Sequence, residues 1–254
     1  MKMTPSTILG TTIHPTTCHD ATAAILAWAG RAESRTVCLA NVHVVMESCD
    51  DPAYQAAVNG ADLVAPDGMP LVWILRRLGH DLKDRVYGPS LMLQVLEAAA
   101  GQGIPLGFHG ASPDVLAALI ANMRLAFPGL NIVYSCSPPF RNPTPEEDEA
   151  HVRDINASGS RILFVGLGCP KQERWIHEHR GRVRAVMLGV GAAFDFHAGA
   201  VRQAPAWMQD RGLEWLFRLC MEPRRLWKRY LRHNPRFAIL SILDLLDSRK
   251  QGGA

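Results

Sequence analysis

Apolar and polar residues alternate along most of this chain in two patterns. Short runs rich in β-branched and apolar residues have the length of buried strands, and longer segments with apolar positions three and four residues apart indicate amphipathic helices. The predicted strands lie at 36–45, 61–66, 104–110, 130–136, 161–168 and 184–191. The predicted helices lie at 50–59, 69–78, 89–100, 112–126, 145–158 and 170–180. This alternation predicts an α/β fold with a mostly parallel, Rossmann-like sheet flanked by helices.

The character of the chain changes near residue 200, where the strand-like runs stop. Beyond that point the segments are helical in pattern and rich in basic residues. The sequence therefore predicts three parts. They are an α/β core over 1–200, a basic helical appendage over 201–247 and a disordered tail over 248–254.

The positive charge of the protein is concentrated in the appendage. Eight basic side chains and two carboxylates lie between Arg211 and Arg236, a local excess of six positive charges in a chain whose net charge is +3. A local excess indicates a local anionic partner, and it does not indicate a protein that binds nucleic acid in general. We therefore expect an anionic substrate or an anionic membrane surface here, and no nucleic acid.

Cysteine content and hydropathy bear on the cellular compartment. The six cysteines are scattered, with no CxxC pair and no zinc-like spacing, so free thiols in a reducing cytoplasm are expected. The N-terminus lacks a basic segment followed by an apolar run, and no uncharged apolar stretch is long enough to span a bilayer. These features predict a protein of the cytosol or of the cytosolic face of a membrane.

Polar residues follow several predicted strands, which is where open α/β sheets bind ligands. Asp67 follows strand 61–66 in "APDGMP", and a carboxylate there can accept a proton from a substrate hydroxyl. The alternative is that Asp67 begins a turn and caps the next helix, because Asp-Gly is common in turns. Arg85 is either a surface ion-pair partner or, if it faces the same cleft as Asp67, part of a site.

The segment "VGLGCPKQE" runs from a predicted strand through two glycines into a helix that opens at Pro170. Its first turn contains Lys171, Gln172 and Glu173, and free amide groups at a helix start beside a lysine favour an anion. The alternative for Glu173 is a structural role at the helix start. The segment is neither a GxGxxG motif nor a P-loop, so classical dinucleotide or nucleoside triphosphate binding is not indicated.

Candidate metal ligands give a weaker signal. Asp195 and His197 follow the last predicted strand and can either contact a ligand or form a buried polar pair. His43, His109 and His197 lack the spacing of a metal site, which favours a structural role for each. No DxD pair is available to hold a divalent cation on a diphosphate. The sequence therefore predicts neither a metal nor a cofactor.

Seven segments, taken together and in order, resemble the WecG/TagA/CpsF family of glycosyltransferases (glycosyltransferase family 26). They are "NVHVV", "ADLVAPDGMPLVW", "RVYGPSL", "VGLGCPKQERWI", "VGAAFDFHAG", "RQAPAWMQ" and "GLEWLFRLCMEPRRLWKRY". The resemblance extends over about residues 36–236 and is specific, because "PKQE" and "GLEWL" are rare combinations.

The resemblance implies a sugar transfer from a UDP-sugar to a saccharide on a polyprenyl (undecaprenyl) diphosphate. The transfer would be inverting and metal-independent, and would serve cell-surface polysaccharide biosynthesis at the cytoplasmic face of the inner membrane. Asp67 is implied as the catalytic base, and Asn41, Arg85 and Gln172 as substrate-binding residues. The appendage is implied to close over the site, to place cations on the donor diphosphate and to touch the membrane. The implied cations are Arg218, Arg225 and Lys228 or Arg229.

Helical spacing divides the cations of the appendage into candidates for the donor diphosphate and candidates for anionic lipid. Arg218 and Arg225 are seven residues apart, which places them on one helix face if Pro223 does not break the helix. These two are our candidates for the donor diphosphate. The cations assigned to anionic lipid are Arg232, Arg236 and Lys228.

One position departs from the family pattern. Many members have a threonine two residues before the asparagine that matches Asn41, and in this chain the residue is Leu39. The missing hydroxyl leaves the donor open between glucose, N-acetylmannosamine and its uronic acid. The "NVH" and "DGMPLVW" forms resemble exopolysaccharide members of the xanthan type more closely.

Two other classes of protein remain as alternatives. A non-catalytic peripheral membrane protein would explain the basic appendage through anionic lipid, but it leaves the clustered loop residues without a role. An oxidoreductase with a nucleotide cofactor would fit the predicted sheet, but it lacks the GxGxxG motif. The oligomeric state stays open, with a homo-oligomer among the options.

Overall fold

The computed structural model describes residues 4–251, with side chains given for residues 4–246. Its strands are β1 Ser6–Ile8, β2 Thr11–Ile13, β3 Arg35–Ala40, β4 Leu63–Pro66, β5 Leu106–Gly110, β6 Ile132–Cys136, β7 Ile162–Gly166 and β8 Val186–Gly189. Its helices are α1 Cys18–Gly30, α2 Val42–Asp50, α3 Pro52–Asn59, α4 Met69–Arg77, α5 Gly88–Gln102, α6 Pro113–Ala126, α7 Pro145–Ser158, α8 Lys171–Glu178, α9 Ala193–His197, α10 Ala206–Asp210, α11 Glu214–Met221 and α12 Pro223–Gln251.

Six of these strands form one sheet in the order β4-β3-β8-β7-β5-β6, and every neighbouring pair in it is parallel. β1 and β2 form a separate antiparallel hairpin. Because the six strands are parallel, their carboxyl ends meet along one edge of the sheet, the usual ligand-binding edge of such folds. The predicted α/β class with a parallel sheet flanked by helices is confirmed.

Helices cover the sheet on both faces, which explains why its strands are continuous apolar runs. On one face, side chains of α1, α5 and α6 pack against Phe108 and Phe164. On the other face, α2 and α4 pack against Val64, and α7 and α8 pack against Val165. The core therefore fixes the sheet firmly and leaves the loops at its carboxyl edge to form a site.

The predicted strand at 36–45 is half wrong. β3 ends at Ala40, and the apolar residues that follow it begin helix α2. The cause is Asn41, whose side-chain oxygen accepts hydrogen bonds from the backbone N–H groups of His43 (3.0 Å) and Val44 (3.3 Å). These bonds satisfy amides at the helix start, as an N-cap residue does. The β-branched residues of "NVHVV" thus point their apolar face into the core from a helix.

The region beyond residue 200 is helical, as predicted, but it does not form one continuous helix. α11 ends at Met221 and α12 begins at Pro223, with Glu222 between them in a non-helical conformation (φ −130°, ψ 54°). Proline suits the first position of a helix, because it lacks an N–H and its φ is fixed. The condition under which Arg218 and Arg225 would share one helix face is therefore not met.

The last helix packs against the core rather than standing apart from it. Leu226 and Phe237 are buried, and Phe237 belongs to the same apolar cluster as side chains of α2 and α4. Arg232 and Arg236 both pair with Asp50 at the end of α2. α12 continues to Gln251, and residues 252–254 of the predicted disordered tail lie outside the described residues.

Candidate active site

A cavity of about 520 Å³ lies at the carboxyl edge of the sheet, within the size range of small-molecule sites. The loops after β3, β4, β7 and β8 form its floor, and residues of α11 and α12 form its other wall. It brings together seven of the eight predicted site residues. The seven are Asn41, Asp67, Arg85, Gln172, Arg218, Arg225 and Arg229.

Asp67 is half-buried in the cavity and does not cap α4, whose N-cap is Gly68 without a side-chain hydrogen bond. Its Oδ1 accepts a 2.9 Å hydrogen bond from the Gly88 N–H, and its Oδ2 lies 3.5 Å from Asn41 Nδ2. Burial raises the pKa of Asp67 to about 7; the Arg85 charge opposes this rise and the Glu214 charge adds to it. A carboxyl group with this pKa can act as a base near neutral pH.

Arg85 faces the same cleft as Asp67, so it is part of the candidate site and not a surface ion-pair partner. Its Nη1 donates to the Asp67 backbone carbonyl oxygen (3.3 Å), and its Nη2 donates to Glu214 Oε2 (2.6 Å). The guanidinium group also lies over the Tyr87 ring, 4.0 Å from its centroid, and the Tyr87 hydroxyl donates to Glu214 Oε1 (3.2 Å). Arg85 therefore connects Asp67 to the first residue of α11.

Glu214 is a site residue that the sequence interpretation missed. It stands in the "GLEWL" segment that carried the family resemblance, but a glutamate in the first turn of a helix is ordinary and gave no separate signal. Its side chain is 13% exposed and is held by two donors, so it is part of the cavity wall and not a solvated surface group.

Gln172 is buried at the start of α8, where its side chain bridges two neighbours. Its Oε1 accepts from the Gly168 N–H (3.2 Å), and its Nε2 donates to Glu173 Oε1 (2.8 Å). The glycine after β8 makes room for it, because a Cβ at Gly189 would lie 3.1 Å from Nε2. The start of α8 lines the cavity, but Lys171 is exposed and does not, so this lysine lies outside the predicted anion site.

Glu173 lines the cavity while being 4% exposed, and its Oε2 has no hydrogen-bond partner among the described residues. Burial raises the pKa of this carboxyl above its usual value. No side chain caps the start of α8, so a capping role does not account for this glutamate. A buried carboxyl beside Gln172 makes the floor of the cavity polar on this side.

The two predicted diphosphate-binding arginines meet at one carboxylate, although they lie on different helices. Glu222, at the break between α11 and α12, has its Oε2 2.5 Å from Arg225 Nη2 and 3.7 Å from Arg218 Nη2. The Arg218 guanidinium also lies 5.5 Å from the centroid of the Phe196 ring. The helix break thus turns both cations toward the cavity.

Of the other two predicted cations, Arg229 lies in the cavity and Lys228 lies outside it. Arg229 lines the cavity and donates to the Tyr230 hydroxyl (3.1 Å). Lys228 does not line the cavity; its Nζ lies over the exposed Trp227 ring, 5.6 Å from the centroid. The placement of Lys228 among the substrate-binding residues is therefore not supported by the geometry, because one residue along a helix turns the side chain by about 100°.

Leu39, the departure from the family pattern, is buried and lines the cavity, so the altered position lies in the site.

Asp195 and His197 have different surroundings. Asp195 lines the cavity, but His197 does not and instead contacts the Pro89 carbonyl oxygen at 3.0 Å. His197 is therefore structural.

The fold and the cavity define an α/β protein with a strongly charged ligand site at the carboxyl ends of its strands. Residues 6–251 match the model of the glycosyl transferase WecG/TagA/CpsF family, and the chain belongs to this family. It is 34% identical to the N-acetylglucosaminyldiphosphoundecaprenol N-acetyl-beta-D-mannosaminyltransferase of Bacillus spizizenii over 195 residues, which are 76% of this chain and 73% of the relative.

The family resemblance found in the sequence is thereby confirmed. The protein is an enzyme, a glycosyltransferase of the hexosyl-transferring type, and the interpretation as a non-catalytic lipid-binding protein is wrong. Membership of a glycosyltransferase family likewise leaves no place for the oxidoreductase alternative.

Proposed function

We propose that this enzyme transfers a sugar from a UDP-sugar to a saccharide carried by undecaprenyl diphosphate, with inversion at the anomeric carbon. The name of the Bacillus spizizenii relative describes mannosaminyl transfer to an undecaprenol-linked N-acetylglucosaminyl diphosphate, which supports this class of acceptor. The observation that carries the proposal is Asp67. It is a carboxyl group with a pKa of about 7, and it shares a cavity with Arg218 and Arg225.

Asp67 acts as the general base in this proposal. Its Oδ1 is held by the Gly88 N–H, whereas Oδ2 has only the 3.5 Å contact with Asn41, so Oδ2 is the atom free to receive a proton. The acceptor hydroxyl gives its proton to Oδ2 while its oxygen forms a bond to C1 of the sugar. The bond between C1 and the diphosphate oxygen breaks, and its electron pair leaves with UDP. Attack from the face opposite UDP inverts the anomeric carbon.

Cationic side chains stabilise the departing diphosphate in this proposal. Arg218 and Arg225 converge on Glu222, and a diphosphate is the stronger anion to take the place of that carboxylate between them. Arg229 lines the same cavity from α12. Donors that are already in place act well in a closed site, so these cations supply the stabilisation without a divalent ion on the diphosphate.

The donor sugar is expected to differ from that of the Bacillus spizizenii relative. Leu39 places an apolar side chain against the cavity where many family members have a hydroxyl. A site without that hydroxyl cannot hydrogen-bond a polar substituent there, and such losses change sugar preference strongly. We favour a hexose such as glucose, in exopolysaccharide biosynthesis, over N-acetylmannosamine.

The enzyme is proposed to work at the cytosolic face of the inner membrane. No helix within residues 4–251 is long and apolar enough to cross a bilayer. α12 instead carries apolar side chains spaced three, four or eight residues apart that are each about half exposed or more, a pattern that suits a helix lying in the membrane interface. These side chains are Trp227, Leu231, Ile239, Ile242 and Leu246.

The proposal is tested with purified protein, a panel of UDP-sugars and a short-chain polyprenyl-diphosphate saccharide. UDP release, the mass of the lipid product and the anomeric configuration by NMR are measured, with and without added Mg²⁺ or Mn²⁺. We expect one UDP-sugar to give an inverted product at a rate that added metal does not change. A product with retained configuration, or transfer only from a nucleotide other than uridine, would refute it.

A further inference from the structure

Three side chains that the proposed reaction does not use meet where α12 crosses α2. His43 and Glu47 lie one turn apart on α2, and His233 reaches them from α12. Glu47 Oε1 lies 3.7 Å from His43 Nδ1 and 3.5 Å from His233 Nε2, and one ligand atom from each residue lies within 4.8 Å of the other two. The two imidazole rings are 5.2 Å apart.

The contacts within this His43–Glu47–His233 cluster are not ordinary hydrogen bonds. Separations of 3.5 and 3.7 Å exceed the usual N–H···O range. Among the described residues, the buried His43 Nδ1 has no hydrogen-bond partner, and neither has Nδ1 of His233, which is 4% exposed and directs its Nε2 at Glu47. Buried polar nitrogens usually have a partner, so the arrangement points to a ligand between the three groups.

The separations suit a metal ion better than they suit hydrogen bonds. Zinc binds imidazole nitrogen and carboxylate oxygen at about 2.0–2.2 Å, so ligand atoms of a tetrahedral site are separated by roughly 3.3–3.6 Å. The 3.5 Å contact already fits, and the 3.7 Å contact needs to shorten only slightly. The two imidazole nitrogens lie within 4.8 Å of each other and would move together when the ion binds. Two imidazoles with one carboxylate are also a known zinc ligand set.

The charged groups around the cluster are mixed in sign. Arg229 repels a cation here and Glu47 attracts one. Arg232 and Arg236 share one carboxylate, Asp50, so the pair keeps a net positive charge beside the cluster. Neutral imidazole is the form of histidine that binds a metal.

We infer that His43, Glu47 and His233 form a binding site for a zinc-like divalent transition-metal ion that fastens α12 to α2. Both histidines also line the cavity, so the fourth coordination position faces it and suits a water molecule. In this inference the ion positions α12 and takes no part in the proposed transfer step. It would hold α12, which carries Arg225 and Arg229, against the helix that begins after Asn41. Sequence spacing concealed the site, because His233 is far from the other two ligands along the chain.

Metal binding is tested on the full chain after treatment with a chelator and dialysis. Calorimetric titration with Zn²⁺ is expected to show one tight equivalent per chain, and Co²⁺ is expected to give visible absorption bands of a low-coordinate site. His233→Gln and Glu47→Gln are each expected to weaken binding at least 10-fold, within the range seen when metal-site residues are altered. His177→Gln, at an exposed histidine of α8 outside the cluster, is the matched control and is expected to bind like the unaltered chain.

X-ray absorption at the zinc edge, measured on the unaltered protein, keeps the inference testable if a variant does not fold. We expect nitrogen and oxygen ligands only, with two imidazoles. Sulfur in the first coordination shell would overturn the inference in favour of a cysteine site. It would also be overturned if the unaltered chain bound no Zn²⁺, or if folded Glu47→Gln and His233→Gln proteins bound it with unchanged affinity.

Discussion

Arg85 Nη2 donates a 2.6 Å hydrogen bond to Glu214 Oε2, and the two side chains are only 10% and 13% exposed. Because Arg85 also donates to the Asp67 backbone carbonyl oxygen, this ion pair joins the proposed base to the first residue of α11. The Arg85 charge lowers the pKa of Asp67, and the Glu214 charge raises it. The pKa of Asp67 therefore depends on the position of the appendage.

The pH dependence of transfer follows from the pKa of Asp67, about 7. A general base is active as the carboxylate, which forms as the pH rises through this value. We expect kcat/KM to fall about tenfold per pH unit below 7 and to level off above it. The measurement is a rate profile from pH 5 to 9. A flat profile between pH 5 and 7 would show that Asp67 is already ionised at pH 5, and would contradict a pKa raised by burial.

Glu214→Gln is expected to move this profile to lower pH. The change removes a negative charge that raises the pKa of Asp67, and it frees Arg85 to lower that pKa further. A purely structural effect would reduce the rate at all pH values and leave the midpoint in place. Tyr87→Phe is the control, because it removes a hydrogen bond to Glu214 without changing any charge. If both variants kept the midpoint of the unaltered enzyme, the coupling would be absent.

Asp67→Asn is expected to lower the transfer rate by roughly 100-fold or more while stabilising the fold at alkaline pH. The folded-state pKa of Asp67 is raised above the unfolded value, so folding favours the protonated carboxyl. The free energy of unfolding therefore decreases as the pH rises from about 4 to 7, because the unfolded chain loses this proton first. Above pH 7 the folded protein carries a buried charge, which lowers its stability. The amide removes that cost.

A gain of about 1 kcal/mol at pH 8 corresponds to a rise in Tm of roughly 2–4 °C for a chain of this size. Differential scanning calorimetry at pH 8 measures it. Asp81→Asn, at an exposed aspartate of the loop between α4 and α5, is expected to change neither activity nor Tm. An active Asp67→Asn enzyme would exclude Asp67 as the base whatever its stability.

Arg218→Ala is expected to lower transfer by about 100-fold, a loss of roughly 3 kcal/mol of transition-state stabilisation. Its side chain is 17% exposed and faces the cavity beside Arg225. Lys171→Ala is the control, because this cation was a candidate from the sequence and is exposed outside the cavity. UDP affinity by calorimetry and steady-state rates are compared. Equal losses in the two variants would indicate a general charge effect and not a specific contact.

Much of the architecture could be predicted from the sequence because strands and helices alternate with distinct periods. The clear failure, at 36–45, came from a run of β-branched residues that fits either element, and the Asn41 side chain decided it by capping a helix. Most of the residues that a family motif indicated line the cavity, and Lys228 is the exception. Glu214 and the meeting of His43 with His233 could not be predicted, since contacts between distant segments depend on how the appendage docks.

The ion pairs of the appendage bear on which side chains are available to contact a membrane. The sequence assigned Arg232 and Arg236 to anionic lipid, but both pair with Asp50, so they have less charge to offer. If the protein binds a membrane as proposed, the exposed apolar side chains of α12 are expected to provide the main contact. Membrane binding is therefore expected to depend more on apolar area than on basic charge, and to be only weakly sensitive to salt.

Ile239→Ser combined with Ile242→Ser tests this expectation. Both side chains are 60% exposed, so the fold should tolerate the change, while each loses roughly 1.5–3 kcal/mol of apolar transfer energy at the interface. We expect at least tenfold weaker sedimentation with vesicles that contain anionic lipid. Leu125→Ser, at an 84% exposed leucine on α6, is the matched control and should bind as the unaltered protein does. Unchanged vesicle binding by the folded double variant would show that α12 does not provide the membrane contact.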